Sequence, residues 1–189
     1  MKKLKFLPLG IVALFFASCS SDDSNNGGPV NEEEVITTIT LQLTPQAGGT
    51  SVTMTSRDLD GDGPNAPVIT VSDNLTQNTV YNGTVTLLNE IADPVENITP
   101  EVLEEAPDHQ FFFSGSNGIG TTAYSAPFDL NNNPIGVNFT FTTTTAATGN
   151  LTVILRHEPN KTATGVADGD ITNAGGETDV QVVFPVIVQ

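Results

Sequence analysis

Tryptophan is missing from the 189-residue chain, cysteine occurs once, and only six residues are Lys or Arg. Each scarcity closes a class of function. Lys2, Lys3 and Lys5 stand in the first five residues, and beyond residue 18 only Arg57, Arg156 and Lys161 face 22 acids. That segment carries 3 − 22 = −19 charges with both histidines neutral. Neutralising phosphates takes clustered Lys and Arg, so a nucleic-acid binder is excluded. Docking on an anionic lipid face through a basic patch is disfavoured for the same reason. A lone Cys19 closes the intrachain disulfide. Met54 is the one methionine after the leader, which leaves haem ligation unsupported. With Tyr81 and Tyr124 as the only tyrosines, the aromatic platforms that stack sugars are scarce. No apolar run is long enough to span a bilayer; Phe6 to Phe16 is too short and is broken by Pro8.

That short run has another reading. A positive Met1-Lys-Lys-Leu-Lys5 precedes it, and Phe16-Ala17-Ser18-Cys19 follows. Charged, apolar and small-residue regions in this order make a secretion signal. The small residues before Cys19 resemble a bacterial lipobox, with Phe16 where Leu is usual. The expected products are a lipoprotein signal peptide over 1–18 and a mature chain held on a membrane by acyl chains, palmitate among them, on Cys19. Ser20 follows the cysteine, so an inner-membrane retention Asp is absent. Ser20-Ser-Asp22-Asp23 resembles the acidic tethers that send lipoproteins to the outer face of the outer membrane.

Residues 19–34 hold almost nothing apolar and predict a flexible acidic tether. From 35 to 189 the pattern is that of a single β domain. Val35, Thr37, Ile39, Leu41 and Leu43 alternate with polar neighbours, and Val52 and Met54 open a hairpin partner. Further strands are predicted at 68–71, 79–88, 110–113, 137–142, 151–156 and 180–188, with Pro185 placing the last at a sheet edge. Thr99-Pro100-Glu101 predicts a short helix near 100–106, Thr99 being its N-cap and Pro107 its stop. About eight strands and one short helix point to an all-β antiparallel sandwich, immunoglobulin-like in layout.

Asp58-Leu-Asp60-Gly-Asp62-Gly63 is the sharpest local motif. Three carboxylates two residues apart can curl around one hard cation, and Ca²⁺ relieves their repulsion. Ile69 stands where an EF-hand needs its bidentate Glu, so affinity is expected on the order of 10⁻⁴ M. The competing account is a solvated Asp/Gly turn. Asp129-Leu-Asn131-Asn-Asn133 repeats the spacing with two amides, and a turn is its stronger reading. Asp168, Asp170, Glu177 and Asp179 are further acids that could complete a calcium site. A metal-dependent hydrolase needs His109, His157 and Glu177 to converge. No Gly-x-Ser-x-Gly elbow or phosphate loop is present, and no enzyme is expected. In Phe111-Phe112-Phe113, alternation turns Phe112 to the opposite face. Either both faces are covered or Phe112 shows to a partner.

Taken together, the Cys19 lipobox, the Asp58–Gly63 loop, Leu87-Leu-Asn-Glu90, His109-Gln-Phe-Phe-Phe113 and Gly175-Gly-Glu-Thr-Asp179 resemble a family of small bacterial surface lipoproteins often labelled "type 1 periplasmic binding fold superfamily". That label implies two α/β lobes; the length and single helix signal of this chain keep the expectation at one β-sandwich. The resemblance implies a companion of a TonB-dependent receptor that captures or hands on a nutrient, with no catalytic residues to carry over. An adhesin or surface structural protein is the rival reading.

Overall fold

The computed structural model describes residues 34–61 and 63–189. The chain forms a mostly β protein of two antiparallel sheets with one short helix. The larger sheet has the order β3 (Val68–Val71), β2 (Val52–Arg57), β1 (Thr38–Pro45), β4 (Val80–Asn89), β8 (Asn138–Thr143), β7 (Gly120–Ser125), and β5 (Glu96–Asn97) pairs with β4. The smaller has the order β10 (Glu177–Val188), β9 (Ala147–His157), β6 (His109–Gly115). Both arise from period-two patterns that turn one row of apolar side chains inward. Leu41, Leu43, Met54, Leu87 and Phe141 of the larger sheet and Phe111, Leu151, Val153, Leu155 and Phe184 of the smaller are fully buried in one cluster. Within the larger sheet, Gly83 stands opposite Phe139, and a Cβ there would lie 2.4 Å from the ring. The missing side chain is what lets the aromatic ring lie over β4.

The β1–β2 hairpin forms as expected, and the last strand lies at an edge as Pro185 requires. The short helix α1 spans Thr99–Glu104 with Pro100 in its first turn. Its cap differs from expectation. Ile98 is the N-cap and makes no side-chain bond, while the Thr99 hydroxyl accepts from the Leu87 backbone N–H at 2.9 Å. The hydroxyl anchors the helix to β4 instead of closing its own first turn. Among the described residues no helix is long and apolar enough to cross a membrane.

The aromatic run on β6 is covered on both faces. Phe111 enters the main core, while Phe112, 3% exposed, lies beneath Val166, Ala174, Ile154 and Ile171 in a second cluster. Two single 3-10 turns, Val166–Asp168 and Ile171–Asn173, shape the loop that covers it. Phe112 is therefore not a surface for a partner: the 158–176 loop folds back and buries it.

Candidate metal centre

The three strands of the smaller sheet bring their titratable residues together at one end. His109 opens β6 and His157 closes β9, and the two are directly paired in register. Facing cross-strand side chains lie about 4.5–5.5 Å apart, and here the imidazole rings stack with centroids 4.6 Å apart. Both share the inward face of Phe111 and Leu155, two residues along each strand.

A carboxylate reaches them through an irregularity in β10. Thr178 pairs with Arg156 and Val180 with Leu155, so Asp179 is the extra residue of a β-bulge. A bulge leaves one extra residue unpaired and shifts the pairing by one beyond it, which re-aims that side chain. Asp179 places Oδ2 3.7 Å from His109 Nε2 and Oδ1 3.6 Å from His157 Nδ1, with its side chain 1% exposed. Gly176, at φ +68°, shapes the approach to the bulge; a Cβ there would lie 2.1 Å from the His157 carbonyl oxygen. The second carboxylate comes from outside the sheet. Glu34, ahead of β1, sets Oε2 3.3 Å from His109 Nε2.

These four residues offer donor atoms that all lie within 4.8 Å of one another, and the buried Glu/His/His/Asp cluster could hold a metal ion. The donor chemistry is favourable. His109 Nδ1 lies 3.3 Å from the Glu105 carbonyl, which can only accept, so Nδ1 carries the proton in that bond. Nε2 is then the nitrogen turned toward two carboxylates. A hydrogen or a metal ion on Nε2 would join this nitrogen to the carboxylates it faces. Metal–ligand bonds of about 2.0–2.1 Å at tetrahedral angles separate donors by roughly 3.3 Å. The 3.3, 3.6 and 3.7 Å contacts lie close to that spacing, and the full set of donors, within 4.8 Å of one another, would draw together around an ion. Two carboxylates and two neutral imidazoles sum to −2, which one divalent cation cancels. Nitrogen donors suit first-row metals such as zinc; calcium takes 6–8 oxygens.

The two histidines thus meet, as the hydrolase reading requires, but Glu177 does not join them. It is exposed, and the bulge hands its expected place to Asp179. Asp179 belongs with the histidines and not with a calcium loop. In the Asp-rich motif, Asp58 Oδ1 accepts from the N–H groups of Asp60 and Gly61, and Asp60 Oδ2 accepts from the backbone and side chain of Asn65. The Asn65 amide holds the Asp60 carboxyl below its usual range. Asp62 lies outside the described residues. Asp129 accepts from Asn131 N–H and from both nitrogens of Asn133, closing a turn, while Lys161 Nζ stands 3.7 Å from its Oδ2. Burial raises the Asp129 carboxyl, yet the Asn133 and Asn131 bonds and the Lys161 charge carry it below the usual value. Asp170 caps Thr172 N–H at 2.9 Å, and Asp168 lines a shallow cleft with Phe113, Tyr124 and Gly169. Among the described residues, the Glu34 cluster is the group of three or more His, Cys, Asp or Glu arranged to share an ion.

Glu34 is the member of the cluster that sequence reasoning missed, since it lies 75 positions from His109 within the stretch read as tether. Searches against family models, curated proteins and solved structures find no match to this chain.

Proposed function

We propose that this chain is a lipid-anchored module of the outer-membrane surface that binds a first-row divalent cation, zinc by geometry, through Glu34, His109, His157 and Asp179. The observation that carries the reading is the direction of His109 Nε2 toward two buried carboxylates at 3.3 and 3.7 Å. The lipobox at Cys19 and the acids after it support the location. The family resemblance supports service to a TonB-dependent receptor, with the metal ion itself as the captured nutrient. Binding, not catalysis, is the role: four protein donors complete a tetrahedron, and a catalytic zinc keeps a position open. The two packed antiparallel sheets support an immunoglobulin-like layout within the same reading. A calcium ion on Asp58, Asp60 and Asp62 is a separate, structural part of the proposal, supported by an exposed Asp60 held in its ionised form.

The test is a titration of the metal-stripped chain with zinc, manganese and calcium in competition with a chromogenic chelator. One zinc per chain is expected, with calcium far weaker. Losing an outer-shell partner costs a metal site about 10–100-fold, so His157→Ala, which removes a ligand, should weaken zinc by at least about 100-fold. Equal zinc binding by wild type and His157→Ala would mean that the cluster is a buried ion pair carrying a proton.

A further inference from the structure

β6 ends the smaller sheet and β7 ends the larger, and between these two edges and the Val166–Asp168 turn lies a cleft of about 290 Å³. Phe113 and Tyr124 border it, with ring centroids 6.5 Å apart and planes tilted by 58°. Both rings are held in place. Phe113 is stacked on Phe139 with centroids 4.2 Å apart. The Tyr124 hydroxyl donates to the Phe111 carbonyl at 2.7 Å and accepts from Gln110 Nε2 at 3.0 Å. The same Gln110 nitrogen donates to the Val166 carbonyl at 2.8 Å, so one fully buried amide fastens both the Tyr124 wall and the turn that carries Asp168. Gly169 follows that turn at φ +95°, where a Cβ would lie 3.5 Å from Tyr124 Oη; its absence leaves the edge of the ring open.

The lining selects a ligand by its chemistry. Asp168 is the charged residue on the cleft, and no lysine or arginine borders it. Burial pushes the Tyr124 phenol up to about 12, so that wall stays neutral at ordinary pH. The quadrupole of an aromatic ring draws a cation to its face, and a carboxylate draws the same charge. An anion is repelled by Asp168 and by a chain of net charge −16. Calcium needs about 6–8 oxygens, which a wall of two rings does not offer. Ligand clefts begin at about 300 Å³, so this one takes a small head group and not a nucleotide. A primary ammonium brings three donors that need acceptors, whereas a methylated one presents methyl groups that pack on rings. We propose that this cleft binds a methylated organic ammonium ion, its methyl groups against Phe113 and Tyr124 and its charge answered by Asp168. The cleft shares no residue with the metal cluster, and the two readings stand independently.

The experiment titrates the full chain, in EDTA, with choline and with dimethylbutanol, the uncharged isostere in which carbon replaces the nitrogen. Binding is followed by the shifts of backbone amide resonances. Choline should move the amides of Thr122, Asp168 and Gly169 and leave those beside His157 in place. The isostere should bind about 10-fold more weakly. Asp168→Asn, a change at an exposed side chain, should narrow that gap. Phe113→Leu, which removes one ring, should weaken choline about 2–30-fold; if it fails to fold, Asp168→Asn and the isostere still decide. Equal binding of choline and its isostere overturns the proposal, making the cleft an apolar recess that does not read charge. Choline shifts that spread over the acidic surface and persist unchanged in Asp168→Asn also overturn it, as general attraction to an acidic chain. So does the absence of any shift at the cleft, and none of these outcomes touches the metal centre.

Discussion

Removing Asp179 outright tests the bulge more sharply than any substitution. Deleting a residue inside a strand ordinarily shifts the register by one and sends every later side chain to the wrong face. Here Thr178 and Val180 are already paired with Arg156 and Leu155, so deletion closes the ladder without moving either. The variant loses a buried carboxylate with its contacts, about 1–3 kcal/mol, and regains continuous pairing worth about 0.5–1.5 kcal/mol. The net cost is about 0–2 kcal/mol. Deleting Thr152 from β9 is the control. β9 pairs with both β6 and β10 and has no extra residue there to absorb the loss. Val153 and Leu155, both 0% exposed, would then turn outward. At about 1.5–3 kcal/mol each that is roughly 3–6 kcal/mol, much of the 5–15 kcal/mol that typically holds a domain together. Urea unfolding in EDTA, where metal linkage is absent, measures both. With a slope of about 1–3 kcal/mol per molar, the Asp179 deletion should keep one cooperative transition with a midpoint within about 2 M of wild type. Zinc at 100 times its Kd should add about 2.7 kcal/mol to wild type and nothing to the deletion. A deletion variant as unstable as the Thr152 control would refute the bulge and its delivery of the carboxylate.

Two further outcomes are expected. Lys161 Nζ donates to the Ala106 and Pro134 carbonyls at 2.5 and 3.0 Å and stands beside buried Asp129. Lys161→Met should cost about 3–5 kcal/mol, and adding Asp129→Asn should cost much less than the sum of the two, as read by a double-mutant cycle in urea; strictly additive losses would show that the pair is not coupled. At the Asp-rich loop, millimolar calcium should raise the melting temperature of wild type more than that of Asp60→Asn; an equal rise in both would assign the effect to screening of a highly acidic chain.

Alternation alone carried most of the sheet. The stretches around Leu41, Phe139, Val153 and Val182 each show period-two apolar residues, and each is a strand. β7 escaped because Gly-Thr-Thr-Ala-Tyr-Ser offers no apolar row; it is a half-exposed edge strand held by pairing with β8. β5, two residues long, is too short to have a pattern. His109 and His157 were legible as strand ends but not as neighbours, since their pairing depends on strands 48 positions apart. Asp179 was hidden by its bulge. An uninterrupted β10 would carry the inward face from Val180 back to Thr178 and leave Asp179 facing outward. Glu34 was hidden by composition, standing in an acidic run that reads as solvated tether.

Two sets of buried carboxylates show why the cluster calls for a cation. Asp129 is sealed into its turn with its own counter-ion, the Lys161 ammonium, and with N–H donors from Asn131 and Asn133. Its charge is answered within the fold, which makes it a structural joint. Glu34 and Asp179 are as deeply placed, but the groups set against them are imidazoles, one of which turns the nitrogen opposite its Glu105-bound Nδ1 toward them. Taking charge out of water costs several kcal/mol per ion unless an opposite charge is supplied. The first site meets it with a lysine ammonium, whereas the rings set beside the second carry charge only when protonated or bound to a cation. A proton answers one negative charge on one nitrogen. A divalent ion answers both carboxylates and uses both rings. That is why zinc titration of wild type against His157→Ala separates the two accounts: a proton-bridged cluster binds no zinc for the substitution to weaken, and a metal centre loses affinity with the ring.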